Sequence, residues 1–337
     1  MASSGPSVML RRPAGVQVFA GLAFVLAVSI AIARVAGLGR WALAETFVLI
    51  FTSIVVEALP FVLLGALVSA LIEVFVPDTA FERVARLPLP LQVPGAALSG
   101  LAFPICECGS VPVARRLIAR GMHPAAALAF MLASPIMNPI VLASTWIAYE
   151  GRDIALAMVL GRAGLGLTLA MVAGWALGED GARDILRTRP EGDVPVHASR
   201  VAPDQRSRAF TDHLAADFFF MGKFVVIGSA LAAAMQTVVP QSLVSGVART
   251  PILGAVALMG LAFLLSLCSE ADAFVAVSFV QFPVGSQLAF LVFGPVVDAK
   301  LAFLYGATFR RRFILRLMVV AVPIVLAGSL WFEVLMR

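Results

Sequence analysis

Charge is what this sequence has least of. Asp, Glu, Lys and Arg together make up 13% of its 337 residues, about half the share a soluble domain carries. So few charged groups cannot cover a water-facing surface, which excludes an ordinary soluble enzyme. Lysine occurs only at Lys223 and Lys300, cysteine only at Cys106, Cys108 and Cys268, and histidine only at His123, His197 and His213. Without a second cysteine pair or a histidine cluster, no closed structural zinc site can be assembled. The absence of a Gly-x-x-x-x-Gly-Lys-[Ser/Thr] loop argues against an ATP-driven pump. The net charge of +5 does not point to nucleic acid. The arginines gather at the ends of apolar segments, where the positive-inside rule places them.

What is abundant is apolar. Hydrophobic residues make up 61% of the chain, and mean hydropathy is +0.97. A bilayer core needs roughly 20 apolar residues per helix. Spans are expected over Val16–Ala33, Leu43–Val76, Ala125–Tyr149, Ile154–Leu177, Ala215–Val238, Leu288–Tyr305 and Phe313–Leu335. Two further apolar stretches, Leu91–Leu117 and Ile252–Val280, are interrupted. All should be helical, because an open sheet leaves its backbone unsatisfied in lipid. The expected fold is an all-α, polytopic helical bundle.

Arg11 and Arg12 precede the first run, as in a signal peptide, but the run is long and no small-residue cleavage site follows it. A retained first span is expected, so residues 1–42 form an extra N-terminal element. Residues 43–178 then form a first membrane repeat, 179–212 a linker and 213–337 a second repeat. The linker, Glu179–Asp212, carries six arginines, seven acids and Pro190, Pro195 and Pro203. That is the composition of a solvated connector.

The two halves match in order. With Gly65 set on Gly228, Pro77 falls on Pro240 and Glu107 on Glu270. With a spacing three residues shorter, Ser134-Pro135-Ile136-Met137-Asn138 falls on Gly294-Pro295-Val296-Val297-Asp298. Apolar matches are cheap, whereas polar matches in apolar surroundings are not. Internal repeats are characteristic of secondary transporters.

The stretch from Pro88 to Gly121 is long for one span and short for two, and its counterpart runs from Pro251 to Pro283. If each is a re-entrant hairpin, the arginines sort themselves. Arg11, Arg12, Arg83, Arg86, Arg115, Arg116, Arg120, those of the linker, and Arg310, Arg311, Arg312 and Arg316 then share the cytoplasmic side. The hairpins enter from opposite faces and the repeats are inverted. Both interrupted motifs lie near the midplane, where irregular backbone is tolerated only in a protein-lined cavity.

All three cysteines fall at the two hairpin tips. A buried free cysteine is often just a small hydrophobe, but that reading does not explain the clustering. Two thiolates as close as Cys106 and Cys108 can bind one soft ion or form a strained disulfide. Such ligands select thiophilic partners such as copper(I), zinc or trivalent arsenic. Glu107, Glu270, Asp272 and Asp298 lie in apolar stretches, where a charge costs about 2.5–3.5 kcal/mol on insertion scales. They are expected to line an ion or proton path. Lys300 should pair with Asp272 or Glu270. Asn138 and Asp298 each follow a proline by three residues, where a helix can break. Glu57 and Glu73 read as interfacial or helix-packing groups.

At these residues the sequence resembles a known family. Phe103-Pro104-Ile105-Cys106-Glu107-Cys108-Gly109-Ser110-Val111-Pro112, Ser134-Pro135-Ile136-Met137-Asn138-Pro139 and Cys268-Ser269-Glu270-Ala271-Asp272-Ala273-Phe274 are similar to motifs of the YraQ/ArsP permeases. The resemblance runs from the second span to the last. It implies efflux of a small thiophilic solute such as a trivalent organoarsenical, driven by protons and using membrane cysteines. Glu107 between the cysteines, in place of serine, is closer to the YraQ branch.

The expected substrate ligands are therefore Cys106, Cys108 and Cys268. Glu107, Glu270, Asp272 and Lys300 would carry protons or balance charge, and Asn138 and Asp298 would orient the tips. A soft-metal permease using Cys106 and Cys108 as metal ligands is the alternative. A membrane thiol-redox protein cycling the same pair is a more distant one. No cofactor is implied. Membrane lipid and the solute are the expected partners, with room for assembly into a homo-oligomer.

Overall fold

The computed structural model describes residues 42–77, 79, 83, 86–103, 105–179, 185–187, 206–238 and 251–336. The expected N-terminal span, Val16–Ala33, lies outside the described residues. Residues from Phe47 onward belong to one body.

Among the described residues the chain forms twelve α-helices and no strand. The first half contributes α1 (Ala42–Phe75), α2 (Leu89–Ser99), α3 (Glu107–Ala119), α4 (Pro124–Met137), α5 (Pro139–Tyr149) and α6 (Ala155–Gly178). The second contributes α7 (Arg206–Val238), α8 (Pro251–Leu265), α9 (Asp272–Ala276), α10 (Val284–Phe293), α11 (Ala299–Thr308) and α12 (Arg311–Leu335). Five stretches are long and apolar enough to cross a membrane: Ala44–Phe75, Pro124–Arg152, Ala155–Gly178, Arg206–Thr237 and Arg311–Leu335. The exposed faces of α1, α6 and α12 carry Leu49, Val56, Leu160, Leu315 and Val319, side chains that lipid rather than water would accept.

Two expected spans are broken where the sequence places its polar residues. The stretch read as Ala125–Tyr149 divides at Asn138, whose Oδ1 accepts from the backbone N–H of Ile140 at 2.9 Å and caps α5. The stretch read as Leu288–Tyr305 starts earlier, at Val284, and divides before Asp298. Asp298 Oδ1 accepts from the N–H of Leu301 at 2.6 Å and caps α11. Side-chain caps satisfy the orphan N–H groups that a helix starting inside the bundle would otherwise leave bare. The helix of the second half also begins at Arg206, inside the stretch read as linker. Linker residues 185–187 form a short antiparallel bridge to Thr308–Arg310, through Arg187 N–H to the Thr308 carbonyl and Arg310 N–H to the Ile185 carbonyl, both 3.0 Å.

Close contacts fix the helix directions. Gly178, Gly174 and Gly166 of α6 abut Ala125, Ala129 and Ile136, so α4 runs antiparallel to α6. Gly100, just past α2, abuts Ser134, and Ala96 and Ser99 share a cavity wall with Phe130, so α2 runs alongside α4 in the same direction. α3 returns: Arg120 at its end donates to the Val76 carbonyl at 3.0 Å, just before α4 begins. Helices α2 and α3 therefore enter and leave on one face, with their turn at the depth of Ser134 and Asn138.

Close contacts also set the directions in the second half. Gly254 abuts Ser286 and Gly294 lies against Ala262, so α8 runs with α10, and the chain after α9 returns to the start of α10, where Gln287 Nε2 donates to the Phe279 carbonyl at 3.1 Å. Gly161 abuts Phe332 and Gly328 abuts Leu165, so α6 and α12 are antiparallel. α10 begins against Ser329 and Glu333 near the end of α12, and α11 ends at Phe309, which stacks on Phe313 near its start. The broken spans α4–α5 and α10–α11 thus run in opposite directions.

Candidate functional site

The two interrupted tips meet. Glu107, the first residue of α3, is buried, as is Ser269 from the turn after α8. Ser269 Oγ donates to Glu107 Oε2 at 3.0 Å. Lys300, in the first turn of α11, places Nζ 2.8 Å from Glu107 Oε1 and 3.5 Å from Asp298 Oδ2. It also donates to the Ser266 carbonyl at 3.0 Å and lies 3.8 Å from Cys268 Sγ. Ser266 holds a left-handed φ of 47°, a conformation costly for a residue with a Cβ. Its Oγ accepts from Ala299 N–H at 3.1 Å, tying that turn to the start of α11.

This corrects the pairing expected for Lys300. Its partners are Glu107 and Asp298, not Asp272 or Glu270. Asp272, the first residue of α9, instead takes the guanidinium of Arg162, at 2.8 Å to Oδ1 and 2.7 Å to Oδ2. Arg162 also donates to Thr145 Oγ1 at 2.9 Å and to the Ser269 carbonyl at 3.2 Å. It is the largest fully buried side chain described. Sequence reasoning passed it over, although it is the only charge in the run Ile154–Leu177, and a lone charge inside a span is itself a signal.

All three cysteines are free and buried. Cys106 and Cys108 flank Glu107 in the chain, and Cys268 Sγ lies 3.8 Å from the Nζ of Lys300, which pairs with Glu107. Several polar atoms of the tips and the first broken span are buried without a hydrogen-bond partner: both carboxylate oxygens of Glu270, Asn138 Nδ2 and Ser134 Oγ. Buried polar groups are rarely left this way.

The remaining charges serve packing on the arginine-rich face. Arg116 joins Glu73 at 2.9 Å and Asp217 at 2.6 Å, and Ser69 Oγ donates to Asp217 at 2.7 Å, so one guanidinium holds α1, α3 and α7 together. Lys223 lies over the rings of Phe220 and Phe224, at 5.1 and 5.3 Å. Among the described residues no group of three His, Cys, Asp or Glu side chains is placed to hold a metal ion.

Half-helices that end inside an apolar bundle, with ionisable side chains at their ends, are features of multi-pass membrane transport proteins. The chain belongs to the ArsP_1 family of predicted permeases, whose model matches residues 43–334. It is similar to the UPF0718 protein YcgR of Bacillus subtilis (strain 168), with 42% identity over 284 residues, 83% of this chain and 95% of that one. It is also 34% identical over 273 residues, 79% of this chain and 88% of the other, to a Streptococcus mutans protein named as a subunit of a two-component membrane permease complex. No solved structure matches.

Proposed function

We propose that this protein is a proton-coupled secondary permease that exports a small thiophilic solute of the trivalent organoarsenical type. One observation carries the reading: three free, buried thiols lie at the two interrupted tips that the Glu107–Lys300 ion pair joins, Cys106 and Cys108 beside Glu107 in the chain and Cys268 3.8 Å from Lys300. Thiols are soft ligands; when the tips close on the solute, Cys106 and Cys108 would share its thiophilic atom and Cys268 would complete the set from the other half. Glu270, Asn138 and Ser134 offer polar atoms that lack protein partners and would meet the solute or a proton. Asp272 and Asp298, already engaged by Arg162 and Lys300, hold the tips in place.

The two halves act as inverted repeats. Support comes from the opposite directions of the broken spans and from the matched helix caps, Asn138 and Asp298. Rocking one half against the other would open the shared centre to each face in turn. The Streptococcus relative suggests that a second protein component completes the transporter, in addition to any self-association.

A growth-inhibition panel tests this reading. Expressed in a transporter-deficient strain, the chain should raise tolerance to methylarsenite and not to copper or zinc salts. Protection against the metal salts alone would assign the site to soft cations instead.

A further inference from the structure

We propose that the arginine-lined cavity at the start of α12 is a binding site for a phosphate-bearing anion, and that its resident is the headgroup of an anionic phospholipid. The cavity has a volume of about 410 Å³ and is lined by Leu177, Ile185, Arg310, Arg311, Arg312, Phe313 and Arg316. It lies at the face where α6 ends and α12 begins, at the opposite end of α11 from Lys300.

The cavity is a built feature. Ile185 is held in its wall by the backbone bridge of residues 185–187 to Thr308–Arg310, and Arg187 Nη1 further donates to the Gly306 carbonyl at 2.6 Å. Leu177, Ile185 and Phe313 are buried and make an apolar floor, while the arginines are exposed at the rim. Arg310, Arg311 and Arg312 have no acidic partner among the described residues. Arg310 supplies no side-chain cap to α12, so the positive end of a 25-residue helix adds to their charge.

Guanidinium groups match phosphate oxygens in a bidentate fork. Basic pockets between membrane helices on the cytoplasmic side take lipid headgroups, and the arginine asymmetry assigns this face to the cytoplasm. The apolar floor, and the exposed Leu315 and Val319 one and two turns along α12, favour a lipid over a free anion. The headgroup would sit among the arginines and an acyl chain would run down the exposed face of α12.

The test uses the purified full chain in neutral-detergent micelles and tail-labelled phosphatidylglycerol. Binding should be saturable, should weaken as salt rises, and should be competed by unlabelled phosphatidylglycerol but not by phosphatidylcholine. Each arginine near the headgroup contributes about fivefold in affinity, so R310Q/R311Q/R312Q should weaken binding about a hundredfold. R310K/R311K/R312K keeps the charge but not the bidentate fork, and should bind more weakly than the wild type and clearly more tightly than the glutamine variant, which separates loss of the site from loss of the fold. Competition by inorganic phosphate as strong as by the lipid would overturn the lipid assignment and assign the cavity to a soluble phosphate ligand. Unchanged affinity in the glutamine variant, or equal competition by phosphatidylcholine, would overturn the site itself.

Discussion

Replacing Arg162 by methionine leaves the Asp272 carboxylate buried with its charge uncompensated. Arg162 makes two contacts to that carboxylate, at 2.8 and 2.7 Å, and two further hydrogen bonds, to Thr145 and the Ser269 carbonyl. Removing one member of a buried ion pair costs about 3–5 kcal/mol. R162M and D272N should each lose that amount. The double variant R162M/D272N carries no stranded charge. Its cost should fall to that of the two lost hydrogen bonds, about 1 kcal/mol each. The double variant is therefore more stable than either single one, and its loss falls short of the summed single losses by at least about 4 kcal/mol. Denaturant unfolding of the purified protein in micelles, followed by intrinsic tryptophan fluorescence, measures the cycle. A double variant as unstable as the sum of the singles would refute the claim that this pair holds α5, α6 and the second tip together.

Topology and packing give further tests. Single cysteines in a cysteine-free background should be cytoplasmic near Arg116 and Asp193 and external near Arg249 and Gln281; labelling of position 116 from outside would sink the hairpin arrangement. A methyl on Gly65 would lie 2.3 Å from the Gly109 Cα, so Gly65→Ala should cost about 1–3 kcal/mol of stability through overpacking, and an unchanged melting curve would contradict that close approach. K300M strands Glu107 and should lower stability, whereas E107Q/K300M should recover part of the loss; no recovery would mean the 2.8 Å contact contributes nothing.

Much of the architecture could be read from run lengths and from polar residues inside them. α1 and α12 follow from unbroken apolar runs. The breaks at Asn138 and Asp298 follow from a proline-rich apolar stretch ending in a polar residue able to cap the next helix. The cysteines and Glu107 stand out for the same reason: chemistry where lipid-compatible residues are the rule. What sequence could not supply was partner choice. Lys300 lies two positions from Asp298 in the chain, yet its nearest acid is Glu107 from the other half, because ion pairs here are set by how the tips meet. The early start of α7 was hidden by the mostly polar residues of its first turns, Arg206–Asp212, where Ala209 and Phe210 are too few to mark a span. Arg162 was readable but was masked by the strongly apolar run around it.

The most direct measurement is methylarsenite uptake into everted membrane vesicles, with and without an imposed pH gradient. The wild type should accumulate the solute when the vesicle interior is acidic, and C106S/C108S should not, although it inserts normally. E270Q should lose the response to the gradient while keeping solute exchange at equal pH, because Glu270 has no partner among the described groups and is the acid left to carry a proton. Full uptake by C106S/C108S, or a full gradient response in E270Q, would contradict the account.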